Sequence, residues 1–171
     1  YVILRPSLVY SVDDKFTTKL MSMLKLFPLF PIYYEGKTIF HPIHVSDICE
    51  IIENVILNEV NSKTIECIGP EKITFKEILE KLLKTLAIKR LLVPTPLYLA
   101  KLFANFFELL MKNPLLTKDQ LILLKNNNSP SGKYKTNIDL KINSDLKFFD
   151  KEILKYSYMW KDGGEFSKQI K

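Results

Sequence analysis

The chain has 171 residues, 47% of them hydrophobic and 26% charged, with a formal net charge of +6. That length is ample for one domain with a buried core. Its lysines are scattered and it has only two arginines, Arg5 and Arg90, which argues against nucleic acid as a partner and leaves room for a modest attraction to an anionic membrane surface.

Tyr1 to Leu4 is an unbroken apolar run, and Leu8, Val9 and Tyr10 follow Arg-Pro-Ser. Such runs predict a parallel strand covered on both faces. Asp13 or Asp14 is placed to cap a helix with Phe16, Leu20, Met23, Leu24 and Phe27 inward, ended by Pro28 and Pro31. A short strand is expected over Ile32 to Tyr34, a turn at Glu35-Gly36-Lys37, and an extended segment from Thr38 to Val45 around Pro42. In HVSDICEIIENVIL, Ile48, Ile51, Ile52, Val55 and Ile56 mark one helical face, and Asp47 with Glu50 reads as a capping box. Thr64 to Ile68 predicts a strand and Gly69-Pro70 a turn. Thr74 with Glu77 is a second capping box, opening a helix that turns Ile78, Leu79, Leu82, Leu83 and Leu86 inward.

Leu91 to Val93 reads as a brief strand, and Thr95-Pro96 starts a helix with proline at its favoured first position. That helix, Pro96 to Met111, has one narrow polar stripe of Lys101, Asn105, Glu108 and Lys112. It is expected to be buried in the domain, or else to lie against a partner or a bilayer surface. Thr117 with Gln120 starts a further helix that closes in the run Asn126 to Asn128. Beyond Ser129 the periodicity weakens to a short helix over Ile153 to Trp160 and a turn at Asp162-Gly163-Gly164. The alternation of strands and helices is the α/β signature.

Local motifs for chemistry are scarce. No glycine-rich phosphate loop and no Gly-x-Ser-x-Gly elbow occurs. His41 and His44 stand three apart in an extended segment without a third ligand, short of the four that structural zinc takes. Cys49 and Cys67 fall in apolar patterns and are expected as core thiols of a reducing compartment. No run of 18 uncharged residues is present to span a membrane. Arg5 either holds an anion or pairs with a carboxylate, and Asp47 is explained as a cap without a catalytic role. Neither a catalytic residue nor a metal ligand is assigned.

Three stretches in order, ILRPSLVY, HPIHVSDICEII and TIECIGPEKITFKEILEKL, resemble the C-terminal part of extended and atypical short-chain dehydrogenases/reductases, the NAD-dependent epimerase/dehydratase-like group. The resemblance is strongest to the branch around the dehydrogenase-like accessory subunit of respiratory complex I and its bacterial relatives. PLLTKDQLILLK also fits that branch, so the match covers about Tyr1 to Asn128. It implies an α/β fold: late strands of a Rossmann-type NAD(P)-binding sheet plus the smaller substrate-side lobe over 1–128, with a C-terminal extension over 129–171. In this family the Leu-Arg-Pro-Ser strand is the sixth of the sheet. The glycine-rich turn and the catalytic Tyr-x-x-x-Lys pair precede it, so the chain is expected to be a piece of a longer protein.

The resemblance further implies NAD or NADP as cofactor of the full-length protein, not tightly bound by this piece, with Pro6, Ser7 and Leu8 passing its nicotinamide end. Leu8 and Phe40 stand where sugar-nucleotide epimerases carry an Asn and an Arg for their substrate, which counts against a nucleotide sugar. Pro42 matches the complex-I-subunit branch, whereas Ser11-Val12 departs from the usual Gly-Pro. The implied setting is respiratory complex I or another membrane-associated assembly, in the cytoplasm or the mitochondrial matrix, peripheral to the inner membrane. Two alternatives stand beside it: an active NAD(P)-dependent reductase or epimerase on a small apolar or lipid-like substrate, and a non-catalytic binding module.

Overall fold

A computed structural model describes residues 1–96, 98–99 and 118–167. Strand β1 (Val2–Pro6) alternates. Val2 and Leu4 pack inward against Ile43, Ile51, Ile65 and Cys67. Tyr1 and Ile3 face outward, 86% and 44% exposed. The strand is parallel, as expected, but among the described residues only one of its faces is covered. It is the outer member of a three-stranded sheet of order β1-β6-β9, in which β6 (Lys63–Cys67) pairs in parallel with both β1 and β9 (Lys135–Thr136). Strand β9 is two residues long and half exposed, too short to carry a local pattern that would mark it.

Two other short pairs extend from this sheet. Strand β2 (Val9–Tyr10) runs parallel to β5 (Ile43–His44), and β4 (Ile39–Phe40) runs antiparallel to β7 (Ile73–Thr74). A third short pair, β3 (Leu29–Ile32) with β8 (Leu91–Pro94), is parallel. The strand expected over Ile32 to Tyr34 therefore sits three residues earlier. Pro31 is tolerated because β3 pairs on one side only, so its missing N–H breaks no second ladder. Tyr34 and Glu35 instead enter a one-turn 3₁₀ segment with left-handed φ of 51° and 56°.

Helix α1 (Thr17–Leu26) buries Leu20, Met21 and Leu24. Its start is set by Asp14, not Asp13: the Asp14 carboxylate accepts from the N–H groups of Phe16 at 2.6 Å and Thr17 at 2.5 Å. Helix α3 (Phe75–Leu86) carries the predicted capping box. The Thr74 N–H donates to Glu77 Oε2 at 2.6 Å and the Glu77 N–H to Thr74 Oγ1 at 3.2 Å. Its stripe of Ile78, Leu79, Leu82 and Leu86 is fully inside the larger core. That core also takes Leu121 of α4 (Lys118–Leu123) and Phe149, Ile153 and Tyr156 of α5 (Phe149–Tyr156). The helix expected over Ile153 to Trp160 begins four residues sooner and ends as a 3₁₀ turn. Thr117 and nearly all of the helix expected over Pro96 to Met111 lie outside the described residues.

Helix α2 (Val45–Leu57) departs from expectation at its start and on one face. His44 is the cap, its Nδ1 accepting from the Ser46 N–H at 3.3 Å. The helix begins two residues before Asp47, which puts that carboxylate in the first turn and not at the cap. Ile51 is buried, with Ile48 and Val55 packed beside it, but Ile52 and Ile56 are 42% and 67% exposed. One residue is about 100° of helical rotation, so a stripe centred on 48, 51 and 55 carries 52 and 56 out of the contact. Cys49 is likewise exposed and not a core thiol, while Cys67 is buried and its thiol is pushed up to about 11 by burial.

The segment 137–147 is strapped to this framework by polar contacts. The Asn137 side chain accepts from the Ile68 N–H at 2.7 Å and donates to the Ile68 carbonyl at 3.1 Å. Asn143 Nδ2 donates to Glu50 Oε2 at 2.9 Å, and the N–H and hydroxyl of Ser144 donate to Glu50 Oε1, each at 3.0 Å. Asp47, with no solvent exposure, accepts from the Lys147 N–H at 3.0 Å and from its ammonium at 3.2 Å. The amide of Asn143 and the N–H of Ser144 hold the Glu50 carboxyl below its ordinary value. A carboxylate depressed in the folded state stabilises above the unfolded value, about 4.3 for glutamate, and loses that contribution as pH falls through the lower folded value. Glu50→Gln is expected to lower stability at neutral pH and to leave the acid end, where Glu50 is already protonated, less affected, so that the acid limb of the stability–pH curve flattens, as read by urea unfolding at stepped pH.

Candidate functional site

The residues around β1's C-terminal end open onto a cavity of about 630 Å³. Its walls come from α1, β3, the loop before β2 and the residues that follow α4. Aromatic rings dominate it. Phe16, at the start of α1, stands 6.2 Å from the Phe40 ring and 6.4 Å from the Phe75 ring, and Phe30 and Leu8 continue the surface. A cleft of this size and lining suits a small apolar ligand.

Most of the polar groups at the cavity serve the scaffold. Asp14 caps α1. Asn127 Oδ1 accepts from the Ile39 N–H at 3.0 Å, and the Asn128 N–H donates to the Ile39 carbonyl at 2.8 Å, so the asparagine run is stitched onto β4. Lys15 and Lys19 bring positive charge to the lining, and burial lowers the Lys19 ammonium's pKa. Tyr33, 5% exposed, also lines the cavity, and burial pushes its hydroxyl up to about 12. Tyr33 falls in the strand expected over Ile32 to Tyr34, and nothing in its local pattern marks its place in the cavity wall, which follows from contacts between distant segments.

Pro6, Ser7 and Leu8 sit at the junction of this cavity and the sheet. Pro6 ends β1, and Leu8 is part of the cavity lining. Ser7 is tied on three sides: its N–H donates to the Cys67 carbonyl at 2.9 Å, its hydroxyl donates to the Asn128 carbonyl at 3.0 Å, and it accepts from the His41 N–H at 3.1 Å. The Leu8 carbonyl accepts from the Ile43 N–H at 2.9 Å. With these groups committed, the segment presents the apolar side chains of Pro6 and Leu8, which offer nothing to a phosphate, a group that wants donors or positive charge.

The other candidates fall elsewhere. The Arg5 guanidinium lies 4.9 Å over the Tyr134 ring, a cation–π contact. His44 is spent on capping, and no group of three or more metal-ligating side chains occurs among the described residues. Among these residues, too, no helix is long and apolar enough to cross a membrane.

No family model matches the sequence. Solved structures do. The chain is similar to the human epimerase family protein SDR39U1 with NADPH, at 14% identity and a TM-score of 0.64, over 92% of this chain and 48% of that one. It is similar to UDP-N-acetylglucosamine 4-epimerase from Methanobrevibacter ruminantium, at 16% identity and a TM-score of 0.58, over 99% and 46% of the two chains. A third match is the dTDP-glucose 4,6-dehydratase DesIV from Streptomyces venezuelae with NAD bound, at 15% identity and a TM-score of 0.57, over 99% and 46%. These likenesses show the fold, a partial Rossmann-like α/β arrangement with parallel strands. The chain spans about half the length of the structures it matches.

Proposed function

We propose that the chain is the substrate-side part of an NAD(P)-binding dehydrogenase, reductase or epimerase-like protein, and that its own cavity receives a small apolar substrate. The observation that carries this reading is the position of Leu8. It belongs both to the segment that the sequence resemblance assigns to the nicotinamide end of the cofactor and to the wall of the apolar cavity. A cofactor ring passing Pro6, Ser7 and Leu8 would lie within reach of whatever the cavity holds. NAD or NADPH accompanies several of the structures of similar fold, which supports the choice of cofactor. When bound, that cofactor would supply hydride exchange; this chain's residues would supply packing surface for the ring, an apolar bed for the substrate and exclusion of water.

A second reading keeps the cofactor as a structural part of an accessory or assembly subunit of respiratory complex I. It rests on the sequence stretches HPIHVSDICEII and TIECIGPEKITFKEILEKL and on Pro42 standing in that branch's pattern. One experiment separates the two. The full-length protein is titrated with NADH and NADPH by fluorescence and then assayed for nucleotide oxidation with aryl and alkyl ketones. Binding with turnover is the expected result for the enzyme. Binding without turnover on any ketone favours the structural cofactor, and no binding of either nucleotide sinks both.

A further inference from the structure

The junction between β5 and α2 turns on one imidazole. His44 ends β5 and caps α2: its Nδ1 accepts from the Ser46 N–H at 3.3 Å and lies 2.7 Å from the Ser46 hydroxyl. A ring nitrogen accepts only while it carries no proton, so the cap requires the tautomer with its hydrogen on Nε2. The common capping side chains serine, threonine and asparagine keep their acceptor at every pH a cell reaches; histidine does not. The ring also stands edge-on to the buried Tyr10, with 5.2 Å between centroids and 70° between planes, and the two residues are partners in the β2–β5 pair.

Two neighbours of this ring hold the same downstream residue. Asp47, in the first turn that His44 caps, accepts from the N–H and the ammonium of Lys147 at 3.0 Å and 3.2 Å, and the Tyr10 hydroxyl donates to the Lys147 carbonyl at 3.3 Å. The end of the strap is therefore fastened to the two elements that meet at His44.

A proton arriving at neutral His44 has one place to go, Nδ1. There it removes the acceptor of the Ser46 N–H and sets a positive charge at the positive end of the α2 dipole. Charged groups surround the ring. Asp47 of α2 and Glu152 of α5 favour the proton, whereas Lys147 of the strap and Lys155 of α5 oppose it. Each carboxylate is already engaged by a lysine, Asp47 by Lys147 at 3.2 Å and Glu152 by Lys155 at 2.7 Å. Burial is the largest influence, and it holds the imidazole below its ordinary value. The unfolded or locally opened chain therefore takes the proton first. The cap contributes fully above about pH 6.5, the unfolded value, and its contribution is lost as pH falls from there through the lower folded value.

We propose that His44 is a proton-operated latch: mild acid releases the start of α2 and, with it, the Lys147 end of the strap, while the carboxylates nearby are still ionised. The latch depends neither on the cavity nor on a cofactor.

Hydrogen exchange of the full-length protein, with each amide corrected for its intrinsic rate, is compared at about pH 7.5 and about pH 5. An opening that takes up one proton grows by at most about tenfold per pH unit below about 6.5. Protection over 46–48 and at Lys147 is accordingly expected to drop by about tenfold, with α3 far less affected. His44→Asn keeps a capping acceptor that does not titrate and is expected to abolish the drop. His41→Asn, at the other histidine of this chain, which burial also holds below its ordinary value, is expected to preserve it. Nitrogen-15 NMR of the unmodified protein needs no variant: the His44 ring is expected as the Nε2–H tautomer at neutral pH. Protection that does not change with pH, a drop that persists in His44→Asn or vanishes in His41→Asn, or an Nδ1–H ring at neutral pH would overturn the proposal.

Discussion

Gly69→Ala is expected to prevent the protein from accumulating in a folded form. A Cβ built on Gly69 would stand 1.6 Å from the Pro42 carbonyl oxygen and 2.6 Å from its carbonyl carbon. Both are backbone atoms, so no side-chain rotation relieves the clash. The Gly69 N–H also donates to the His41 carbonyl at 3.2 Å, which fixes the two segments in contact. Separating them would break that bond and displace Pro42, which joins β4 to β5 and so sets Phe40 in the cavity wall. The cost is expected to exceed about 4 kcal/mol, the range reserved for backbone strain and core disruption. Gly132→Ala is the control: its φ is +74° and nothing lies within 4 Å of an added Cβ, so it is expected to cost about 1 kcal/mol from backbone conformation alone. Soluble yield and thermal unfolding of the two variants check the contrast. A Gly69→Ala protein that melts within a few degrees of the unmodified chain would mean that the approach to Pro42 is not fixed.

The second large effect is expected at Asp47. Its side chain is fully buried and accepts both the N–H and the ammonium of Lys147. Asp47→Ala leaves that N–H without its partner and removes a charge-assisted bond, for a loss of about 2–3 kcal/mol. The Lys147 side chain is 37% exposed and can turn to water, which keeps the loss below that of a fully buried ion pair. In a chain of this length the melting temperature is expected to fall by about 5–10 °C. The signature is local as well as global. Hydrogen exchange should quicken first at the Lys147 end of the 137–147 strap, which loses its Asp47 anchor, while α3, with its full apolar stripe and its own capping box, stays protected longest. Uniform exchange across the chain would contradict the anchoring role.

The order of elements and the capping box at Thr74 and Glu77 could be read from residues alone, because both are local. A hydroxyl three residues ahead of a carboxylate folds onto itself wherever it stands. Asp47 and Glu50 offered the same spacing and did something else. The helix starts earlier, at a histidine, and the two carboxylates serve a segment nearly a hundred residues downstream. Local pattern cannot distinguish a carboxylate turned to its own helix from one turned to a distant strap. The stripe on α2 shows a related limit. Ile48, Ile51, Ile52, Val55 and Ile56 are all apolar, and only the neighbour decides which side is inside. As for the cavity, the apolar character of Leu8 and Phe40 could be read from the sequence. It could not assemble Phe16, Phe75 and Tyr33 around them, because those contacts join segments that share no periodicity.

The strap has a consequence for how the protein is made. Ser7 holds Asn128, Glu66 accepts from the Ser131 N–H, α1 bonds Trp160 through Ser22, and Asp47 waits for Lys147. Every one of these closes a loop spanning a large share of the chain. Synthesis delivers residues in order at about 5–20 per second, so β1, α1 and α2 leave the ribosome several seconds before their partners exist. Through that interval Phe16, Phe40 and Phe75 are an uncovered aromatic surface, and the carboxylates of Asp47 and Glu50 lack the groups that will hold them. Contacts of such sequence separation form slowly even once the chain is complete. The nascent chain is thus a natural client for a holdase, and its yield in a heterologous host should depend on chaperone supply and on slow translation more than on the stability of the finished fold.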